Sequence, residues 1–161
     1  MNGVQAVEVP AVSPERFAAV LTAAQYERFQ QSISAARRAF ADRTIWNVNS
    51  TARGGGVAEM LRSLIGYVRG AGLDARWLTI PGDAEFFRVT KRIHNHLHGF
   101  AGDGGSLDQE AREAYERSLA PTADELAAMV RPGDLVILHD PQPAGLAWRV
   151  RRAGAIVVWR C

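Results

Sequence analysis

Between residues 44 and 160, short β-branched and aromatic runs alternate with longer stretches striped at helical spacing, and this alternation leaves few folds open. Thr44-Ile45-Trp46-Asn47-Val48 is a run of strand length. A turn-rich stretch, 49–56, follows it, and apolar residues at 57, 60, 61, 64, 65 and 68 then mark one face of a helix that ends at Gly70-Ala71-Gly72. Residues 75–80 read as a second strand, Pro81-Gly82 as a turn, and Asp83 as the N-cap of a helix over 84–98. Four glycines within 99–106 make a flexible connection. Residues 107–119 and 123–130 are predicted as two helices divided at Pro121-Thr122. Asp134-Leu135-Val136-Ile137-Leu138-His139 is a near-continuous apolar run, the pattern of a strand buried on both faces, and 155–160 reads as another. Between them, 143–153 is helical and Gly154 stops it. This alternation of strands and helices predicts an α/β fold, a Rossmann-like parallel sheet with right-handed crossovers and flanking helices.

The preceding segment differs. Residues 1–12 read as an irregular arm carrying Pro10, and Ser13-Pro14-Glu15-Arg16 as a helix start, with a serine cap, proline at the first helical position and an acid in the first turn. Residues 15–41, rich in Ala, Gln and Arg, then read as one helix. The expected division is an N-terminal arm and helix, 1–43, and a Rossmann-like domain, 44–161. At 161 residues the chain is too short for an eight-stranded α/β barrel or for two domains with a closed cleft between them. The net charge of +2 does not point to nucleic acid, because the arginines are scattered over helix faces and Lys91 is the only lysine. No apolar run is long enough to span a membrane, and no signal-like start is present. The one cysteine, Cys161, stands at the last position and allows no internal disulfide, which fits a reducing, cytoplasmic setting. The helix over 15–41, lying outside the sheet, could clasp a second copy as a homodimer.

Ligands of an open parallel sheet bind at the carboxyl ends of its strands, which directs attention to 49–56, 81–83 and 139–143. In the first loop, Gly54-Gly55-Gly56 lets the backbone turn tightly and approach a ligand, and the helix that follows points free N–H groups at the same place. The loop is neither GxGxxG nor a P-loop, so it carries no ordinary nucleotide fingerprint. In the helix after the second loop, Lys91 and Asn95 lie four apart and share a face. His94 and His98 have the same spacing, but no HExxH glutamate and no third ligand accompanies them, so no metal site is expected. In the third loop, His139, Asp140 and Gln142 supply donors and acceptors within a turn framed by Pro141 and Pro143. No serine sits in a GxSxG context.

These residues resemble a known family. Val48-Asn49-Ser50-Thr51 followed by Gly54-Gly55-Gly56-Val57-Ala58-Glu59-Met60-Leu61 is similar to the opening of the nucleotide-sugar-dependent trehalose synthases, retaining glycosyltransferases of the GT-B fold. Phe86-Phe87, Thr90-Lys91 and His94-Asn95 resemble the family's second block, and His139-Asp140-Pro141-Gln142-Pro143 its third. Trp159-Arg160-Cys161 resembles the start of a fourth. His96 and His98 depart from the family's pattern and receive no role. The resemblance implies the N-terminal, acceptor-side half of a two-domain enzyme that joins glucose from a nucleoside diphosphate glucose to free glucose, with no metal and no other cofactor. It implies that the donor-binding domain would follow Cys161 and that the fragment alone is inactive. It also implies that Gly54, Gly55 and Gly56 border the donor phosphates or the acceptor, with Glu59 near that loop or structural. His139, Asp140 and Gln142 would meet acceptor hydroxyls, while Lys91 and Asn95 would line the cleft or hold its wall. Asp140 is the tempting catalytic carboxylate, although a same-face transfer assisted by the leaving phosphate is equally open. A trehalose phosphorylase using glucose 1-phosphate, or a non-catalytic sugar- or phosphate-binding or oligomerisation module, are the alternatives.

Overall fold

Thr44 to Asn49 forms the second strand of a five-stranded sheet, and its alternation sorts the whole molecule into two layers. The computed structural model describes residues 3–161. Its strands are β1 (Gln5–Val7), β2 (Thr44–Asn49), β3 (Asp74–Thr79), β4 (Leu135–His139) and β5 (Ile156–Arg160), in the spatial order β1-β3-β2-β4-β5. The helices are α1 (Ala23–Ala39), α2 (Gly56–Gly70), α3 (Ala84–Leu97), α4 (Gln109–Met129) and α5 (Ala147–Arg152). β2 pairs in parallel with β3 and β4, and β4 with β5, with Ile45 opposite Ala75 on one side and Leu135 on the other.

Successive strand residues point to opposite faces. On one face, Ile45, Ala75 and Trp77 pack with Ala58, Leu61 and Ile65 of α2. On the other, Trp46, Val48, Leu78, Val136 and Leu138 pack with Phe86 of α3, Leu119 and Leu126 of α4, and Val150 of α5. Asp134 anchors the amino ends of the strands. Its buried carboxylate accepts from Thr44 N (2.9 Å), Trp46 Nε1 (3.0 Å) and Arg131 N (3.0 Å).

The α/β class and the alternation of strands and helices after residue 43 match the sequence reading, while several details correct it. The sheet is mixed, because Gln5–Val7 pairs antiparallel with β3 instead of lying in an irregular arm. Met1 and Asn2 of that arm lie outside the described residues. Three residues are too few to show a strand period, so only the backbone pairing reveals β1. The long first helix divides into a 3-10 turn, Pro14–Ala19, and α1, because Thr22 and Gln25 form a capping box that starts a new helix. Conversely, α4 runs through Pro121 as one helix: the proline is exposed, and Leu119, Thr122 and Leu126 stay buried on either side of it. Packing here outweighs the hydrogen bond that proline removes. Finally, β5 is an exposed edge. Its Ile156 and Val158 stand on the α2 side, where α2 covers β2 and β3 but not β5, and are 51% and 46% accessible.

Candidate functional site

The chain leaves β2 toward β3 on one side, then returns across to β4 on the other side of β2. The winding therefore reverses between β2 and β4, and the crevice of such a sheet opens beyond the carboxyl ends of those two strands. The residues after Asn49 and those at His139–Pro143 meet at that place.

The first loop is tied down from below. Buried Asn49 accepts from Trp77 Nε1 through Oδ1 (2.8 Å) and donates through Nδ2 to Thr51 O (2.7 Å). Thr51 Oγ1 donates to Arg53 O (2.7 Å) and accepts from Arg53 N (3.1 Å), closing a tight turn. Gly54 and Gly55 then adopt φ of +73° and +81°, the left-handed region that favours glycine. A Cβ at either position would meet nothing within 4 Å, so these glycines serve the turn and leave the space above them open. The turn delivers the chain into α2 with no side chain capping it, whereas α1, α3 and α4 are capped by Thr22, Asp83 and Asp108. The first N–H groups of α2, and the positive end of its dipole, therefore face the crevice. Beside this loop lies a groove of about 330 Å³ lined by Ser50, Thr51, Arg53, Thr79 and Pro81, with Gln5 of β1 at its edge.

The third loop stands next to it. His139 ends β4 on the α2 face, is 2% accessible, and its Nε2 lies 3.1 Å from Asn47 Oδ1. Its Nδ1 is buried without a partner, as is Oε1 of Gln142. Burial, and then the charge of Arg160, hold the His139 imidazole below its ordinary value of 6.5, against an opposing pull from Asp140. The ring is accordingly neutral at pH 7. Asp140 takes a φ of +68°, a conformation that an aspartate tolerates better than most residues. Asp140 N donates to Arg160 O (2.8 Å), and its carbonyl accepts from Trp159 Nε1 (2.9 Å). Behind the loop, Tyr115 of α4 donates its hydroxyl to Pro141 O (2.8 Å) and accepts from Gly145 N (2.8 Å).

The residues singled out from sequence thus fall into two groups. Gly54, Gly55, Gly56, His139, Asp140 and Gln142 gather at the carboxyl ends of β2 and β4. Lys91 and Asn95 lie on α3, which packs on the opposite face of the sheet from α2. Lys91 is exposed, Asn95 is half-buried against Gly102, and no hydrogen bond joins either side chain to the two loops. Among the described residues, no three His, Cys, Asp or Glu side chains come close enough to hold a metal ion. Three contributors were given no site role from the sequence. Asn47 is one, although a polar residue inside an apolar strand run was a signal. Tyr115 comes from a distant helix. Arg160, on the strand beside His139, reaches across to donate to Met60 Sδ on α2 (3.1 Å).

The fold and the placement of these loops define a Rossmann-like α/β domain in which the loops after β2 and β4 lie side by side at the carboxyl end of the sheet. The chain belongs to the family described as "Trehalose synthase, N-terminal domain", whose model matches residues 47–161. It is 37% identical over 131 residues to the trehalose synthase of Thermococcus litoralis, covering 81% of this chain and 31% of that protein. To the trehalose synthase of Rubrobacter xylanophilus it is 40% identical over 124 residues, covering 73% and 28% respectively. To the trehalose phosphorylase of Pleurotus sajor-caju it is 36% identical over 105 residues, covering 61% and 14%. The chain therefore spans less than a third of the length of the curated relatives it matches. Among the described residues, no helix is long and apolar enough to cross a membrane.

Proposed function

We propose that residues 44–161 form the acceptor-side domain of a retaining GT-B glycosyltransferase that moves glucose from a nucleoside diphosphate glucose to free glucose, forming trehalose. The observation that carries this reading is the pair of buried, unpartnered polar atoms, His139 Nδ1 and Gln142 Oε1, beside an uncapped helix start at the switch point of the sheet. A buried polar atom without a partner is costly unless a ligand supplies one. Sugar hydroxyls supply both donors and acceptors, and His139, Asp140 and Gln142 orient them. The leaving phosphate carries growing negative charge, which the N–H groups at Gly56 and the start of α2 can stabilise as it develops. Asp140 would hold an acceptor hydroxyl, and a same-face transfer assisted by the leaving phosphate needs no protein nucleophile. Lys91 and Asn95 would support the wall of the cleft from α3. The donor nucleotide would be held by a second domain, so this chain alone should bind glucose or trehalose weakly and turn nothing over. Trehalose formation from nucleotide glucose and glucose by the 161-residue chain alone would refute that division of labour.

A second reading is motivated by the phosphorylase relatives. The same glycine loop would suit the phosphate of glucose 1-phosphate. Supplying a full-length protein with trehalose plus inorganic phosphate, and separately with trehalose plus nucleoside diphosphate, distinguishes the two by which pair is consumed.

A further inference from the structure

We infer that Asn47 is a positioning residue that fixes the tautomer of His139, holding the proton on Nε2 and turning Nδ1 into a committed hydrogen-bond acceptor. Both side chains stand on the α2 face of neighbouring strands, and both residues are 2% accessible. The contact between them is Nε2 to Asn47 Oδ1 at 3.1 Å. An amide oxygen only accepts, so Nε2 must be the nitrogen that carries hydrogen. A neutral imidazole holds one proton, and His139 is kept neutral by its burial and by Arg160. Nδ1 is therefore left with a bare lone pair, and it has no partner in the protein. The reverse arrangement would leave a buried N–H donor unpartnered, the rarer defect in folded proteins.

The consequence concerns what can complete the site. Gln142 Oε1, the other buried unpartnered atom, is also an acceptor. Two unsatisfied acceptors call for a ligand that donates, which a sugar hydroxyl does and a fully ionised phosphate oxygen, with no O–H, does not. Asn47 thereby commits the end of β4 to hydroxyls and leaves anions to the start of α2. The tautomer assignment stands by itself, whereas the identity of the donor as a sugar hydroxyl rests on the function proposed above.

The test is nitrogen NMR of the 161-residue chain, labelled at histidine, above the titration of His139. The expected result is an unprotonated Nδ1, a protonated Nε2 and a slowly exchanging Nε2–H proton. A protonated Nδ1, or averaging between two tautomers, overturns the proposal. Asn47→Asp retains an acceptor and should keep the Nε2–H signal while raising the titration midpoint of His139. Asn47→Leu should abolish the slow exchange. Persistence of the signal unchanged in Asn47→Leu, or its loss in Asn47→Asp, also overturns the assignment. Glucose should then shift the Nδ1 resonance, and sulfate, which carries no O–H at neutral pH, should not. A chain with the expected tautomer and no response to glucose would refute the sugar reading while leaving the role of Asn47 intact.

Discussion

Replacing Tyr115 with phenylalanine removes one oxygen atom and, with it, the link between α4 and the loop that carries Asp140 and Gln142. The hydroxyl makes two hydrogen bonds of 2.8 Å, donating to Pro141 O and accepting from Gly145 N. The ring itself stays, stacked on Phe86 at 5.6 Å, so the substitution opens no cavity of consequence. Each hydrogen bond contributes about 0.5–1.5 kcal/mol net, and a partner left unsatisfied raises the loss. Gly145 is exposed and its N–H can turn to water, whereas Pro141 is buried, so the larger share falls on the carbonyl. The expected loss is about 1.5–2 kcal/mol, which in a chain of this size lowers Tm by roughly 3–8 °C. Thermal and urea unfolding measure it, and amide exchange of Gly145 and Leu146 should accelerate more than that of strand residues such as Val136. A melting temperature equal to the wild type, with unchanged exchange at Gly145, would refute the claim that Tyr115 holds the loop.

Asp134→Ala removes three hydrogen bonds at the other end of the sheet and should cost about 2–4 kcal/mol in urea unfolding while leaving the strand-end loops in place. Burial tends to raise the Asp134 carboxyl, but the hydrogen bonds from Thr44, Trp46 and Arg131, with the charge of Arg131, hold it below its ordinary value of 3.8. Its contribution to stability is therefore complete above pH 3.8 and lost as pH falls through the lower folded value, so an acid titration of Asp134→Ala should be flatter there than that of the wild type. His139 is also depressed, from 6.5, so it too favours the fold at higher pH, and stability should decline as pH drops below 6.5, a slope that His139→Gln removes. Gly54→Ala and Gly55→Ala should each cost about 1–3 kcal/mol from the positive-φ backbone alone, since no neighbour obstructs the added methyl group; a cost above about 4 kcal/mol would show that the open space over the loop is misread.

Much of this organisation could be read from the residues because it rests on local chemistry. The β-branched run at 44–48, the helical stripe at 57–68 and the aspartate cap at 83 each name their element without reference to the rest of the chain. The glycine loop and the His139–Pro143 turn followed once the alternation of elements implied a parallel sheet. What stayed hidden depends on distant pairing. β1 is identified only by its pairing with the distant β3, where Gln5 stands opposite Thr79 and Ala6 opposite Leu78. The continuity of α4 across Pro121 depends on what lies beneath it. Asn47 and Arg160 flank His139 because three strands are neighbours in space, an arrangement that alternation alone does not specify. The exposure of β5 has the same origin, for an apolar run does not reveal which face a helix will cover.

The central claim is that sugar is received where the loops after β2 and β4 meet. Titrating glucose into the 15N-labelled chain and following the backbone amides tests it most directly. The account predicts weak, saturable shifts concentrated at 50–56 and 140–146, with the His139 ring responding in parallel. Shifts that avoid both loops, or that gather instead around Arg37, Arg43 and Arg131 in the groove at the amino ends of the strands, would contradict it.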